Sequence, residues 1–203
     1  MAELVTARPA ALPVGPTEDQ GVGWNGMLTL IASEAALFAY LLFAYFYTGA
    51  SAAQPWVIEA HPSLALAGPN TLILLLSSVF VWWGERAIRR GRRGAALAGS
   101  GIAFLLGSVF ATIQWFEWAA KTYGLGTSSY ASLYYLTTGI HMAHVLVGLV
   151  VLALMFGWTL LDYFSPRRRI AFTNGAYYWH FVDAIWLAVF ATYYITPYLG
   201  FGL

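Results

Sequence analysis

Two histidines at three-residue spacing, His141 and His144, and a His–Asp couple at the same spacing, His180 and Asp183, stand inside apolar stretches of this 203-residue chain. Glu34 and Glu117 do the same. Ionisable groups at membrane depth are costly and face protein, water or a polar lipid group, so these six are where chemistry would be done. His141 and His144 share a helix face with Thr137 and Gly148, at spacings of four, three and four. Two such imidazoles could share a metal ion. The carboxylate-bridged di-iron pattern, however, wants Glu-x-x-His on facing helices, and the sequence has none. A bis-histidine haem needs ligands from opposite sides of the macrocycle. A polar interhelical cluster is therefore the preferred reading, with no metal and no catalytic residue. His180 and Asp183 lie one turn apart and can pair, which is preferred to a proton relay. Glu117 has Lys121 at i+4, a favourable order for an ion pair, and reads as structural. Glu34 has no cation near it in sequence. Its carboxyl either stays protonated or takes a donor from another helix or a lipid head. One interhelical hydrogen bond and a proton-exchanging role stay equally open.

Composition says what must hold these side chains. The chain is 60% hydrophobic and 9% charged, with 10 Lys and Arg against 9 Asp and Glu, where soluble domains carry roughly 25% charged residues. The mean hydropathy is +0.65. Most of the exterior must therefore face lipid. A net charge of +1 supplies no basic field for nucleic acid, and the absence of Cys excludes disulfides, thiolate metal sites and cysteine nucleophiles. There is no HExxH, no phosphate-binding glycine loop and no serine with a paired base, which argues against an enzyme acting alone.

Apolar runs of about twenty residues predict five transmembrane helices, near 27–47, 69–88, 95–120, 133–161 and 171–197, hence an all-α polytopic bundle. Pro69 suits the first turn of the second helix, and Pro197 should end the fifth near Thr196. Arg86, Arg89, Arg90, Arg92 and Arg93 follow helix 2, and Arg167, Arg168 and Arg169 follow helix 4, so both loops should be cytoplasmic. The other two loops, with Glu59, His61 and Lys121, should lie outside. The N-terminus is then inside and the C-terminus outside. Residues 1–23 read as a cytoplasmic tail with no cleaved signal, and 24–203 as one membrane domain. Glu34 falls about seven residues into helix 1, roughly 10 Å from its cytoplasmic end. Gly99, Ala103, Gly107 and Ala111 form a small-residue packing stripe on helix 3. Trp24, Trp56, Trp82, Trp83, Trp115, Trp118, Trp179 and Tyr198 read as interfacial belts.

Five segments carry a resemblance: SEAALFAYLLFAYFY (33–47), GPNTLILLLSS (68–78), IQWFEW (113–118), YLTTGIHMAHVLVG (135–148) and YYWHFVDAIW (177–186). The last two, in this order, are the specific ones. Together they resemble the cytochrome c oxidase subunit 3 family, subunit III of haem–copper terminal oxidases, in the short five-helix form of many bacterial enzymes. The resemblance implies an accessory, non-redox subunit of an aerobic respiratory oxidase that couples oxygen reduction to proton pumping. Haem and copper would sit in the catalytic partners, subunits I and II, with a small subunit IV as a further partner. This chain would bind phospholipid, support proton uptake and reside in a bacterial inner membrane. Glu34 matches the family's carbodiimide-reactive buried glutamate. Asn70, Glu117, His141, His144, His180 and Asp183 match positions read there as interhelical or lipid-facing contacts. Arg167, Arg168 and Arg169 are candidates for anionic lipid heads by charge and depth. Longer members have two further helices at the N-terminal side, forming one arm of a lipid-holding cleft. A quinol oxidase subunit III or a nitric oxide reductase accessory is the alternative. A less favoured alternative is an autonomous transporter using Glu34, His180 and Asp183, which would need symmetry between halves or broken helices at the midplane; the sequence offers no convincing repeat.

Overall fold

The computed structural model describes residues 22–52, 55–58 and 63–202. The expected tail, Glu59 and His61 lie outside them. Five α-helices follow in order: α1 (Val22–Ser51), α2 (Leu64–Arg89), α3 (Arg93–Ala120), α4 (Ser129–Leu160) and α5 (Ile170–Phe190). Each, with the short turns that extend α5, is long and apolar enough to cross a membrane, and the described residues contain no strand. In lipid a helix satisfies its own backbone groups, which is why the apolar runs take this form.

Two proline expectations need correction. Helix α2 begins at Leu64, so Pro69 stands inside it and forgoes one intrahelical hydrogen bond. Helix α5 leaves the α form at Phe190, six residues before the expected end. A π segment (Ala191–Ile195) and a 3-10 turn (Thr196–Leu199) complete the crossing. Pro197 has no N–H, and its ring would crowd the carbonyl four residues back in α geometry; the wider π turn, closed by Thr196 N–H on the Ala191 carbonyl, relieves this. Gly200, at φ 83°, ends the helix in the left-handed conformation.

Helix α5 packs on α1, α2 and α4, while α3 joins α2 to α4. The closest approach is between α2 and α3. A Cβ on Gly99 would lie 2.7 Å from the Phe80 carbonyl oxygen and 2.8 Å from Gly84 Cα, so the two backbones touch where the small-residue stripe predicts close packing. Trp179 of α5 fills a slot between Gly107 of α3 and Gly148 of α4, and its indole N–H donates to Ser77 of α2 at 2.9 Å. One side chain thus joins four helices. Trp179 is therefore an interior residue and not part of a belt, and Trp56 is likewise buried, donating to Ser129 Oγ at 2.9 Å. Trp82, Trp83 and Trp115 remain exposed.

Helix α1 is the least buried, with only Phe38, Leu41 and Tyr45 enclosed. It rests on α4 and α5 and shares no substantial interface with α2. A groove is left between α1 and α2, floored by α5. At the opposite end, the backbone N–H groups of Trp56 and Val57 both donate to the Gly202 carbonyl, at 2.8 and 3.0 Å, tying the first loop to the C-terminal turn.

Candidate functional site

The two α4 histidines serve different neighbours. His144 Nε2 lies 3.1 Å from Glu34 Oε2 on α1, and its Nδ1 lies 2.8 Å from the Ile140 carbonyl oxygen one turn back. Phe38 covers the ring edge-on at 5.2 Å. Both members stay partly exposed, Glu34 at 28% and His144 at 16%. The donor that Glu34 requires thus comes from another helix, 110 residues away. His141, 1% exposed, donates from Nε2 to the Val182 carbonyl of α5 at 3.1 Å, with Trp186 and Phe110 against its ring. Three residues apart on α4, the imidazoles of His141 and His144 point to α5 and α1 respectively. Among the described residues no three His, Cys, Asp or Glu side chains gather.

His180 and Asp183 also part, against the expected pairing. Successive residues three apart differ by about 60° around a helix, enough here to send them to different surroundings. Asp183 is buried against Ser78 of α2, whereas His180 opens toward the groove beside Trp82, Glu85 and Arg86. Asn70, fully buried, donates from Nδ2 to the Phe110 carbonyl at 3.3 Å and links α2 to α3. Glu117 has Lys121 Nζ at 3.7 Å, as the i+4 spacing suggests, and accepts a short hydrogen bond from Tyr194. Tyr194 in turn meets the Tyr134 hydroxyl at 3.2 Å.

The groove carries the third constellation. Arg169 lines a cavity of about 210 Å³ with Trp24, Arg89, Thr173 and Tyr177. An adjoining cavity of about 310 Å³ adds Glu85 and His180. Glu85 accepts from Arg89 at 2.7 Å and from the Thr173 hydroxyl at 3.1 Å. Arg167 and Arg168 are exposed and line neither cavity. Glu85 and Tyr194 are polar contributors that the motif reading passes over. The Glu85–Arg89 spacing of four was a visible signal; nothing local to Tyr194 indicates Glu117, 77 residues away.

This arrangement can hold and exchange a proton at Glu34–His144 and can seat a polar head in the groove. Comparison decides the family: a model of cytochrome c oxidase subunit III matches residues 16–198. The chain belongs to the cytochrome c oxidase subunit III family. The cytochrome c oxidase subunit 3 of Anopheles gambiae is 32% identical over 181 residues, covering 86% of this chain and 69% of that protein. That of Gallus gallus is 31% identical over 186 residues, covering 88% and 71%, and that of Branchiostoma lanceolatum 31% over 180, covering 84% and 68%. Membership in the cytochrome c oxidase subunit III family makes the chain a multi-pass membrane protein and a component of an oxidase complex.

Proposed function

We propose that this chain is the non-redox accessory subunit III of a cytochrome c oxidase. It packs beside the oxygen-reducing subunits I and II, with a small subunit IV as a further neighbour, and leaves haem and copper to them. Its own work is to hold phospholipid in the groove over α5 and to support proton uptake through Glu34. The observation that carries the reading is the Glu34–His144 contact at 3.1 Å, a partly exposed acid–imidazole pair between α1 and α4. Partial exposure gives the pair the access to water or a polar lipid head that proton exchange requires. In the groove, Arg169 is the member of the arginine trio placed to meet an anionic head, with Trp24 and Tyr177 as amphipathic flanks.

The setting is a bacterial inner membrane with the α2–α3 and α4–α5 turns in the cytoplasm, supported by the eight arginines those turns gather. The relatives carry the name cytochrome c oxidase, which favours cytochrome c over quinol as electron donor. The test is proton uptake by the complex purified through a tag on this chain, wild type against Glu34→Gln. Slower uptake with subunits, haem and copper fully retained supports the reading. Unchanged uptake, or a colourless sample without large partners, overturns it.

A further inference from the structure

The α2–α3 turn carries a second charged pocket. Arg86, Arg90 and Arg92 surround a cavity of about 230 Å³ with Trp82 and Trp83, over a floor that includes Ala87 and Ala95. Arg89 has Glu85, and Arg93 has Asp162 at 3.7 Å. No carboxylate among the described residues pairs with Arg86, Arg90 or Arg92. Three exposed guanidiniums around one concavity, with no carboxylate partner among the described residues, form a site for an anion with several acceptor oxygens. The Arg86 guanidinium stacks 3.9 Å over the Trp82 ring and forms the wall between this pocket and the α1–α2 groove. Arg90 and Arg92 line this pocket and neither groove cavity.

The helix below shows where the anion comes from. Leu72, Leu76, Val79 and Trp83 are exposed and recur at spacings of four, three and four; Arg86 and Arg90 continue the series at three and four. All six fall on one side of α2. From Leu72 to Trp83 the stripe runs about 16 Å, the depth of one leaflet of a hydrocarbon core roughly 30 Å thick. An apolar track of leaflet length that ends in the Trp83 indole, then Arg86 and Arg90 on the same face, with Arg92 beside them across the turn, complement an acyl chain, an interfacial glycerol region and a phosphate. We infer that the α2–α3 turn binds the phosphate of an anionic phospholipid, with Arg86, Arg90 and Arg92 as ligands and the Leu72–Trp83 stripe as acyl track. The site is separate from the groove and requires only that the bundle be in a membrane.

The test uses the membrane-extracted protein with the subunits that accompany it, delipidated and titrated with phosphatidylglycerol while native mass spectrometry counts bound lipid. Arg90→Gln with Arg92→Gln is expected to remove one phosphatidylglycerol per complex by weakening it about 25-fold, and Arg90→Lys with Arg92→Lys to retain it. Arg169→Gln, in the groove, is expected to leave this lipid in place, so failure here is distinct from failure of the groove reading. Four results would overturn the inference: equal loading of wild type and the Gln variant, equal binding of phosphatidylcholine, displacement by millimolar inorganic phosphate, or loss of an accompanying subunit in place of lipid. The last would assign the arginines to an acidic protein surface.

Discussion

His144 touches an acceptor with each ring nitrogen: the Ile140 carbonyl oxygen at 2.8 Å from Nδ1 and the Glu34 carboxyl at 3.1 Å from Nε2. A carbonyl can only accept, so Nδ1 carries a hydrogen. The Nε2–Oε2 contact is then a hydrogen bond only when one further proton lies between ring and carboxyl. That proton is either on Oε2, facing a neutral ring, or on Nε2, facing a carboxylate. The backbone of α4 thus sets the tautomer, and with it makes the Glu34 contact a one-proton site.

Glu34→Gln keeps a donor for Nε2 and removes the exchangeable proton, so assembly should stay intact while labelling by a hydrophobic carbodiimide disappears. His144→Ala leaves Glu34 in place without its cross-helix partner and should loosen α1 by about 1 kcal/mol, within the range of interhelical hydrogen bonds in membranes. Labelling at Glu34 in the His144→Ala protein should persist. Retained labelling in Glu34→Gln would place the reactive carboxyl elsewhere.

The Trp179 slot gives a packing prediction. A Cβ at Gly148 would stand 2.7 Å from the Trp179 ring, and one at Gly107 2.6 Å from its far edge. Gly148→Ala should cost about 1–3 kcal/mol as overpacking, and Trp179→Phe in the same chain should recover part of that loss. Thermal unfolding in detergent measures both; failure of Phe to recover any stability would show that the strain lies outside the slot.

Arg93 caps α4 from the neighbouring helix. Its Nε donates to the Thr159 carbonyl at 3.0 Å, one terminal nitrogen donates to the Leu160 carbonyl, and the other faces Asp162. These carbonyls lie in the last turn of α4, where acceptors lack intrahelical partners and positive charge is favoured. Arg93→Gln should lower stability by about 1 kcal/mol, while Asp162→Asn, at an exposed pair, should change it little. Hydrogen exchange of the last turn of α4 would register the first variant and not the second.

At the opposite end, Tyr194→Phe removes the hydroxyl that Glu117 and Tyr134 both meet. The expected loss is about 1–3 kcal/mol, because a buried carboxyl loses a donor and gains nothing. Lys121→Gln should cost less, its ammonium acting at 3.7 Å and over aromatic rings. An equal loss from both would make the ion pair, and not the hydroxyl, the holding contact.

Much of this architecture was readable from residue order. Five apolar runs of bilayer length become helices because lipid leaves the backbone no other way to satisfy itself, and Gly99 marks the α2–α3 contact because only hydrogen fits between those backbones. The i+4 couple Glu117–Lys121 forms as spacing suggests, since both ends ride one helix. What spacing could not show is which neighbour a side chain meets across the bundle. His180 and Asp183 fit each other on paper, yet α2 draws Asp183 toward Ser78 and the groove takes His180. The partner of Glu34 depends on α1 lying against α4, a relation between segments 110 residues apart. The end of α5 departs from the expected position for a local reason: Pro197 stops the α ladder several residues upstream of itself, where the π turn begins.

The dependence of α1 on α4 and α5 has a consequence for biogenesis. Helix α1 leaves the ribosome first, but the surface it rests on is made last. At about 5–20 residues per second, the 110 residues separating Glu34 from His144 take roughly 5–20 s to synthesise. Through that interval the carboxyl of Glu34 lacks the His144 imidazole it meets in the folded bundle. Docking of α1 is thus a closing event after α4 emerges, and a chain stalled after α3 would expose an unpartnered acid to the insertion machinery, a state that quality-control proteases can recognise.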